Sequence, residues 1–254
     1  MCIRDRAEGY RTFLLRWDAA QLTNFTTIKN AFNQAFFSIG TGIGCILAYA
    51  AYLGRRAHLP REAVAVVGMD TAVGVLAGMV TFPIVMSFQL QDLIGESTMG
   101  AIFIAVPTGL ASLEQGGILV ALVFFGLALI AAITSAVSLL EVPVACLIDR
   151  LGWSRSRAVW VSTAVIFVAG LPAATSSEVL DWMSNVFGGL LLIVGGLLLS
   201  LLLGWVLPER FEQDLAESGT SPWLRRLLLV MLRWVAPPVV AFGLVISVVE
   251  MLPG

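Results

Sequence analysis

The chain has 254 residues, 58% of them hydrophobic and 13% charged, with a net charge of −2. Several apolar runs are long enough to cross a bilayer, which excludes a water-soluble domain and points to an integral membrane protein. No basic stripe lies outside the loops, so nothing points to nucleic acid, and Cys2, Cys45 and Cys146 are too far apart in sequence to suggest a metal or disulfide motif.

Residues 1–6, Met-Cys-Ile-Arg-Asp-Arg, lead into no apolar stretch and are therefore no signal peptide. They read as a non-native leader on a partial reading frame, and residues 7–27 as the remnant of an extracellular loop. The first span, 28–53, holds the run Asn33-Gln-Ala-Phe-Phe-Ser-Ile-Gly-Thr-Gly-Ile-Gly44. Its glycines Gly40, Gly42 and Gly44 stand at the centre, and glycine is the poorest interior helix former after proline. Irregular backbone at membrane depth survives only inside protein or beside a cavity. The span is therefore read as two half-helices, about 28–39 and 44–53, joined by an unwound hinge. Such a hinge turns carbonyls and helix ends towards a small ligand. The spacing alone is equally compatible with a glycine-rich helix packed closely on a neighbour.

A basic loop with Arg55, Arg56, His58 and Arg61 leads to a second span, 63–88. Residues 89–115 contain Pro107 and the apolar patch 101–106, too short to cross, and read as an extracellular lid loop. A third span, 116–147, is followed by the basic loop 149–157. A fourth, 158–171, is short and is expected to end at Pro172. A brief loop, 173–179, leads to the fifth span, 180–206. A polar segment, 208–226, precedes the sixth, 227–251. Trp205, Trp223 and Trp234 flank the last two spans as interfacial anchors do. The loops after the first, third and fifth spans hold all the inter-span arginines, so they are expected to face the cytoplasm.

Polar side chains within the spans carry the functional reading. Asp70, early in the second span, is costly unless paired or hydrated, and is a functional candidate for that reason. Thr134 and Ser135 are adjacent hydroxyls in the apolar third span. By spacing alone they read as hydroxyls bonded back to the preceding turn. Glu141, on the same span before Pro143, is expected to stabilise the inner half of the bundle. Asp181 opens the fifth span, where an acid complements the helix dipole.

The run Gln34-Ala-Phe-Phe-Ser38 with its following glycines resembles the sixth, broken helix of the bacterial neurotransmitter:sodium symporter family, and the resemblance continues in order almost to Gly254. It covers the second half of such a transporter. The implied fold is an all-α polytopic membrane protein, the second half of an inverted-repeat amino-acid transporter. The implied activity is sodium-coupled symport of an amino acid by alternating access, in a bacterial inner membrane, with this chain an N-terminally truncated copy, inactive alone. The run Asp70-Thr-Ala-Val-Gly74, with Phe82-Pro83 further on, resembles the next helix, with aspartate in place of the family's sodium-binding asparagine. Gly74 occupies the position where chloride-independent relatives carry an acid, so Asp70 is expected to serve both purposes.

The resemblance implies two sodium sites, each incomplete in this chain. Ser38 and Asp70 would contribute to one; the Ala131 carbonyl and the Thr134 and Ser135 hydroxyls would contribute to the other, as oxygen ligands suited to a hard cation. Phe37, Ser38, Gly40, Gly42, Ile43, Ser135 and Leu139 would line the substrate. Phe37 and Asp181 would gate it, Asp181 with an arginine from the absent first helix. Gly40 and Ile43 stand where many relatives carry bulkier or polar residues, so a bulky apolar or aromatic amino acid is expected. The other expected partners are sodium ions and the lipid bilayer, with a homodimer allowed.

Two rivals remain. A channel or non-transporting subunit would need no paired hydroxyls aligned with a broken helix. An enzyme is disfavoured: the single histidine, His58, lies in a loop and no nucleophile–base pair is evident.

Overall fold

The computed structural model describes residues 18–50, 57–90, 101–113 and 116–251. A 3-10 turn, Ala19–Thr23, precedes helix α1, Phe25–Ile39, and α2 is Cys45–Ala50. Helix α3 is Leu59–Ser87, and a π-helical turn, Ala101–Ala105, runs into α4, Val106–Ala111. Helices α5, Gly117–Leu151, and α6, Arg155–Thr175, follow. Then come α7, Ser177–Met183, and α8, Leu191–Leu201, joined through a π turn at Ser184–Leu190. After a further π turn, Leu202–Val206, come α9, Pro208–Glu217, and α10, Pro222–Val230; a last π turn, Met231–Val235, leads into α11, Ala236–Met251. No strand occurs among the described residues.

Five stretches are long and apolar enough to cross a membrane: Leu59–Ser87, Gly117–Leu151, Arg155–Thr175, Ser177–Val206 and Pro222–Val249. The broken α1–α2 segment adds a sixth apolar element, with neither half long enough to cross alone. The ends of these stretches differ from the expected spans. Helix α3 starts at Leu59, four residues before the expected 63, because Pro60 falls in its first turn, where a missing N–H costs nothing. Helix α5 continues to Leu151. Pro172 does not end α6. The proline lacks only its own N–H, and its carbonyl accepts from Ser176 N at 3.2 Å, so the helix closes one turn later. The expected loop 173–179 shrinks to one extended residue, Ser176 (φ −140°), which also caps α7 through its hydroxyl, accepting from Val179 N at 3.4 Å.

The chain falls into two compact units, Met1–Ala19 with Gly68–Ser135 and Ala20–Val67 with Ala136–Gly254. In the first, the expected lid contributes the helical stretch 101–111. Gly109 sits so close to Ile84 that a Cβ there would lie 2.6 Å from Ile84 Cδ1. Phe103 stacks on Phe125 at 6.2 Å, which ties the short helix to the start of α5. In the second unit, Leu192 and Ile193 of α8 and Val240 and Ile246 of α11 are buried. Helix α1 packs on this pair, with Phe36 against Gly196 and Phe32 against Gly243. Absent side chains on α8 and α11 thus become sockets for aromatic rings, the small-residue packing common in membranes.

Candidate substrate and sodium sites

The break in the first span is built locally. Asn24 caps α1 by accepting from Thr26 N at 3.0 Å and Thr27 N at 3.4 Å. Gly40 ends it in the left-handed conformation (φ 68°), its N–H donating to Phe36 O at 2.9 Å. Residues 40–44 are turn, and Gly44 (φ 87°) starts α2. Two of the three glycines are therefore required by backbone conformation.

Gly42 is required by contact. A Cβ there would fall within the Leu192 carbonyl group, 2.6 Å from its carbon and 2.7 Å from Leu192 Cα. A Cβ on Gly195 would meet Gly42 itself, 3.0 Å from its carbonyl carbon and Cα. Backbone thus meets backbone, and the hinge is clamped onto α8. Both alternatives left open by the spacing hold together: the glycines break the helix and also pack it closely. Gly40 is buried; Gly42 and Ile43 are half-buried; Phe37 and Ser38 are exposed, Phe37 to 61%. Phe37 sits beside Gly188 in the π turn before α8, 3.8 Å from where a Cβ would stand. Leu139, also in this unit, is exposed at 47%. Nearby on α5, the hydroxyls of Tyr49 and Ser138 form a short hydrogen bond that joins α2 to α5.

The other candidate ligands lie in the first unit. Asp70 is half-buried and sits about 16 Å along α3, taking 1.5 Å per residue from Leu59. It lies further along its helix than its expected place near the start of the span, because the helix begins earlier. Ala131, Thr134 and Ser135 occupy one exposed turn of α5. The Thr134 hydroxyl donates to the Ala131 carbonyl at 2.9 Å, the back-bond that spacing favoured. That bond sets two of the candidate oxygens side by side, and a donating hydroxyl keeps lone pairs for a cation. Asp181 is exposed in the second turn of α7, behind Glu178 in the first.

Two features had little local signal. Arg155, the first residue of α6, makes a bidentate pair with Glu141: Nη1 to Oε1 at 3.0 Å and Nη2 to Oε2 at 2.8 Å. Glu141 thus braces the end of α5 against α6, in keeping with its expected structural role. Asn33, on the rear of α1, lies against Gly189 with its Oδ1 buried and lacking a hydrogen bond.

A helix broken at its centre and clamped by a partner helix, in a chain with five stretches long and apolar enough to cross a membrane, is the architecture of a polytopic membrane protein. The family model described as sodium:neurotransmitter symporter family matches residues 4–254. An uncharacterized sodium-dependent transporter of Haemophilus influenzae is 26% identical over 226 residues, 84% of this chain and 48% of that one. The sodium-dependent serotonin transporter of Drosophila melanogaster is 27% identical over 231 residues, 85% of this chain and 37% of that one. The crystal structure of MhsT in complex with L-phenylalanine superposes with a TM-score of 0.84 at 31% identity, over 95% of this chain and 56% of that chain. This chain belongs to the sodium:neurotransmitter symporter family, whose members here are sodium-dependent transporters. It spans about half the length of these relatives or less.

Proposed function

We propose that this chain supplies the second half of a sodium-coupled amino-acid symporter that works by alternating access. The observation that carries the reading is the 40–44 hinge, unwound and clamped on α8. Unwinding releases backbone groups that a helix would bond internally, and a half-helix end offers its dipole to a charged ligand. Clamping keeps them in place, so a ligand need not order them on binding. In this reading Gly40, Gly42, Ile43, Ser38, Ser135 and Leu139 surround the substrate, and Phe37, exposed beside the hinge, closes over it.

The donor set fits sodium. Ser38, Asp70, Ala131, Thr134 and Ser135 offer carboxylate, carbonyl and hydroxyl oxygens only, which a hard cation prefers. Ser38 and Asp70 would hold one ion, the α5 turn the other. Bound sodium supplies positive charge that offsets the carboxylate of Asp70 and of the amino acid. The remaining ligands, and an arginine for Asp181, would come from the half of the transporter that this chain does not span. The basic loops face the cytoplasm of a bacterial inner membrane, and the two halves move against each other about the site.

The substrate is a bulky apolar or aromatic amino acid. Gly40 and Ile43 leave volume at the hinge, and the superposed MhsT structure contains phenylalanine. Binding of radiolabelled tryptophan and leucine in sodium and in potassium tests the reading. It should be measured on this chain alone and co-expressed with the half of MhsT that the chain does not cover. Sodium-dependent binding by the pair only is the expected result. Binding indifferent to sodium would favour a non-transporting subunit or channel.

A further inference from the structure

The stretch Pro222–Val249 is apolar enough to cross a membrane and carries Arg233 inside it. Arg233 lies seven residues beyond Arg226, about 10 Å deeper along a helix rising 1.5 Å per residue. An intramembrane arginine is costly unless it is paired or reaches the interface. Among the described residues no carboxylate pairs with it. Its guanidinium carbon instead lies 4.6 Å from the centroid of the Trp205 ring. The Trp205 indole N–H donates to the Arg233 carbonyl at 3.1 Å, and Trp234 meets Trp205 edge-on at 5.2 Å. Gly204 makes this approach feasible, since a Cβ there would stand 3.1 Å from Arg233 Cα. The cluster is built yet incomplete: Arg233 Nε is buried and lacks a hydrogen bond. Trp205 and Trp234 are 46% and 62% exposed, so the cluster opens outward from the helix pair.

We infer that the Trp205–Arg233–Trp234 cluster binds the phosphate of an anionic glycerophospholipid. The guanidinium, with one face covered by indole and its Nε buried, offers the edge of its two terminal nitrogens, and a phosphate takes that edge in a fork of hydrogen bonds. Two exposed indoles at one level mark the depth of the glycerol and headgroup region. Leu201, Leu202, Val206 and Val235 flank the cluster in sequence and are exposed, apolar surface for acyl chains. The charge selects the headgroup. Arg225 lines a hollow with Glu209 and Glu212, which offset it, whereas Arg226 is exposed beyond Arg233. Asp214 and Glu217 balance Arg210 and Arg226 in sequence, so the charge that favours an anionic headgroup over a choline is that of Arg233 itself, with which no carboxylate pairs among the described residues.

The test uses the purified full chain in detergent, titrated separately with dioleoyl-phosphatidylglycerol, dioleoyl-phosphatidylcholine and inorganic phosphate. Bound lipid is counted by native mass spectrometry and melting is followed in parallel. Phosphatidylglycerol should bind and raise Tm at concentrations about tenfold lower than phosphatidylcholine, as expected for a hydrogen bond to a charged group. Inorganic phosphate should not replace it. Arg233→Gln should weaken phosphatidylglycerol binding about tenfold and leave phosphatidylcholine unchanged; Arg233→Lys should recover only part of the loss. Unchanged binding by Arg233→Gln would overturn the proposal. So would inorganic phosphate stabilising as well as the lipid. If Arg233→Gln does not fold, the wild-type comparison decides alone, and equal binding of the two lipids overturns it.

Discussion

Replacing Gly42 with alanine should push the hinge off its partner helix, whereas replacing Gly40 should only strain it in place. At Gly40 the nearest heavy atom to a new Cβ is Cys45 Cβ at 3.7 Å, an ordinary contact. The cost there is the left-handed conformation alone, about 1–2 kcal/mol. At Gly42 the Cβ would stand 2.6 Å from the Leu192 carbonyl carbon, and ordinary contact begins near 3.4 Å, so α8 and the hinge must part by roughly 1 Å. The Cβ is fixed by its own backbone and the atoms it meets are backbone, so no rotamer can absorb the shift. Overpacking of this kind costs about 1–3 kcal/mol and displaces the groups it separates. Gly195→Ala presses on the same contact from the α8 side and should behave alike. Gly126→Ala, with no atom within 4 Å of its Cβ, should stabilise by about 0.5–1 kcal/mol through helix propensity. Thermal unfolding of the four variants in one detergent gives the order. If Gly42→Ala melted with wild type, the clamp would be wrong, and with it the claim that the hinge is held in place.

The Glu141–Arg155 pair makes an asymmetric prediction. Arg155 is 60% exposed and Glu141 only 13%, so Arg155→Ala takes a bidentate partner from a largely buried carboxylate, at about 1–3 kcal/mol, while Glu141→Gln loosens an arginine already largely in solvent for less than about 1 kcal/mol. Equal losses on chemical unfolding would contradict the burial argument. On the proposed reading, the chain expressed together with the half of its relatives that it does not span should take up amino acid without chloride, with Asp70 supplying the negative charge. Asp70→Asn should then make uptake chloride-dependent, and chloride-dependent uptake by the wild type would refute the dual role. Ile43→Phe should reduce tryptophan uptake at least tenfold while sparing smaller apolar substrates; competition between tryptophan and leucine reads this directly. Unaltered preference would mean that Ile43 does not bound the pocket.

The broken helix is legible in the sequence because its cause is local. Gly40 and Gly44 must adopt positive φ, and no other residue does so at so little cost. The clamp is not legible, since Leu192 and Gly195 lie some 150 residues away and nothing in the pattern at 40–44 names a partner. Long apolar spans are visible from composition, whereas their ends are not. Pro172 reads as a stop, but a proline late in a helix forfeits one donor and leaves its carbonyl to close the last turn. The π turns at Ser184–Leu190 and Met231–Val235 have no advance signal, because a single inserted residue shifts the apolar periodicity too little to stand out over runs of five to seven residues that already hold Ser184, Asn185 and Arg233. Among the candidate site residues, the back-bond of Thr134 follows from spacing. Any ion that Thr134 shares with another span depends on neighbours that spacing along α5 does not reveal. The Glu141–Arg155 pair spans a helix end and a turn, and only the fold brings its two charges together.

Sodium-driven accumulation tests the central claim most directly. The chain would be co-expressed with the half of MhsT that it does not cover, purified, and reconstituted in proteoliposomes loaded with potassium. Radiolabelled phenylalanine would then be supplied under an inward sodium gradient or with potassium on both sides. The account predicts accumulation only with sodium, abolished by Ser38→Ala combined with Thr134→Ala. Accumulation independent of sodium, or unaltered in that double variant, would contradict it.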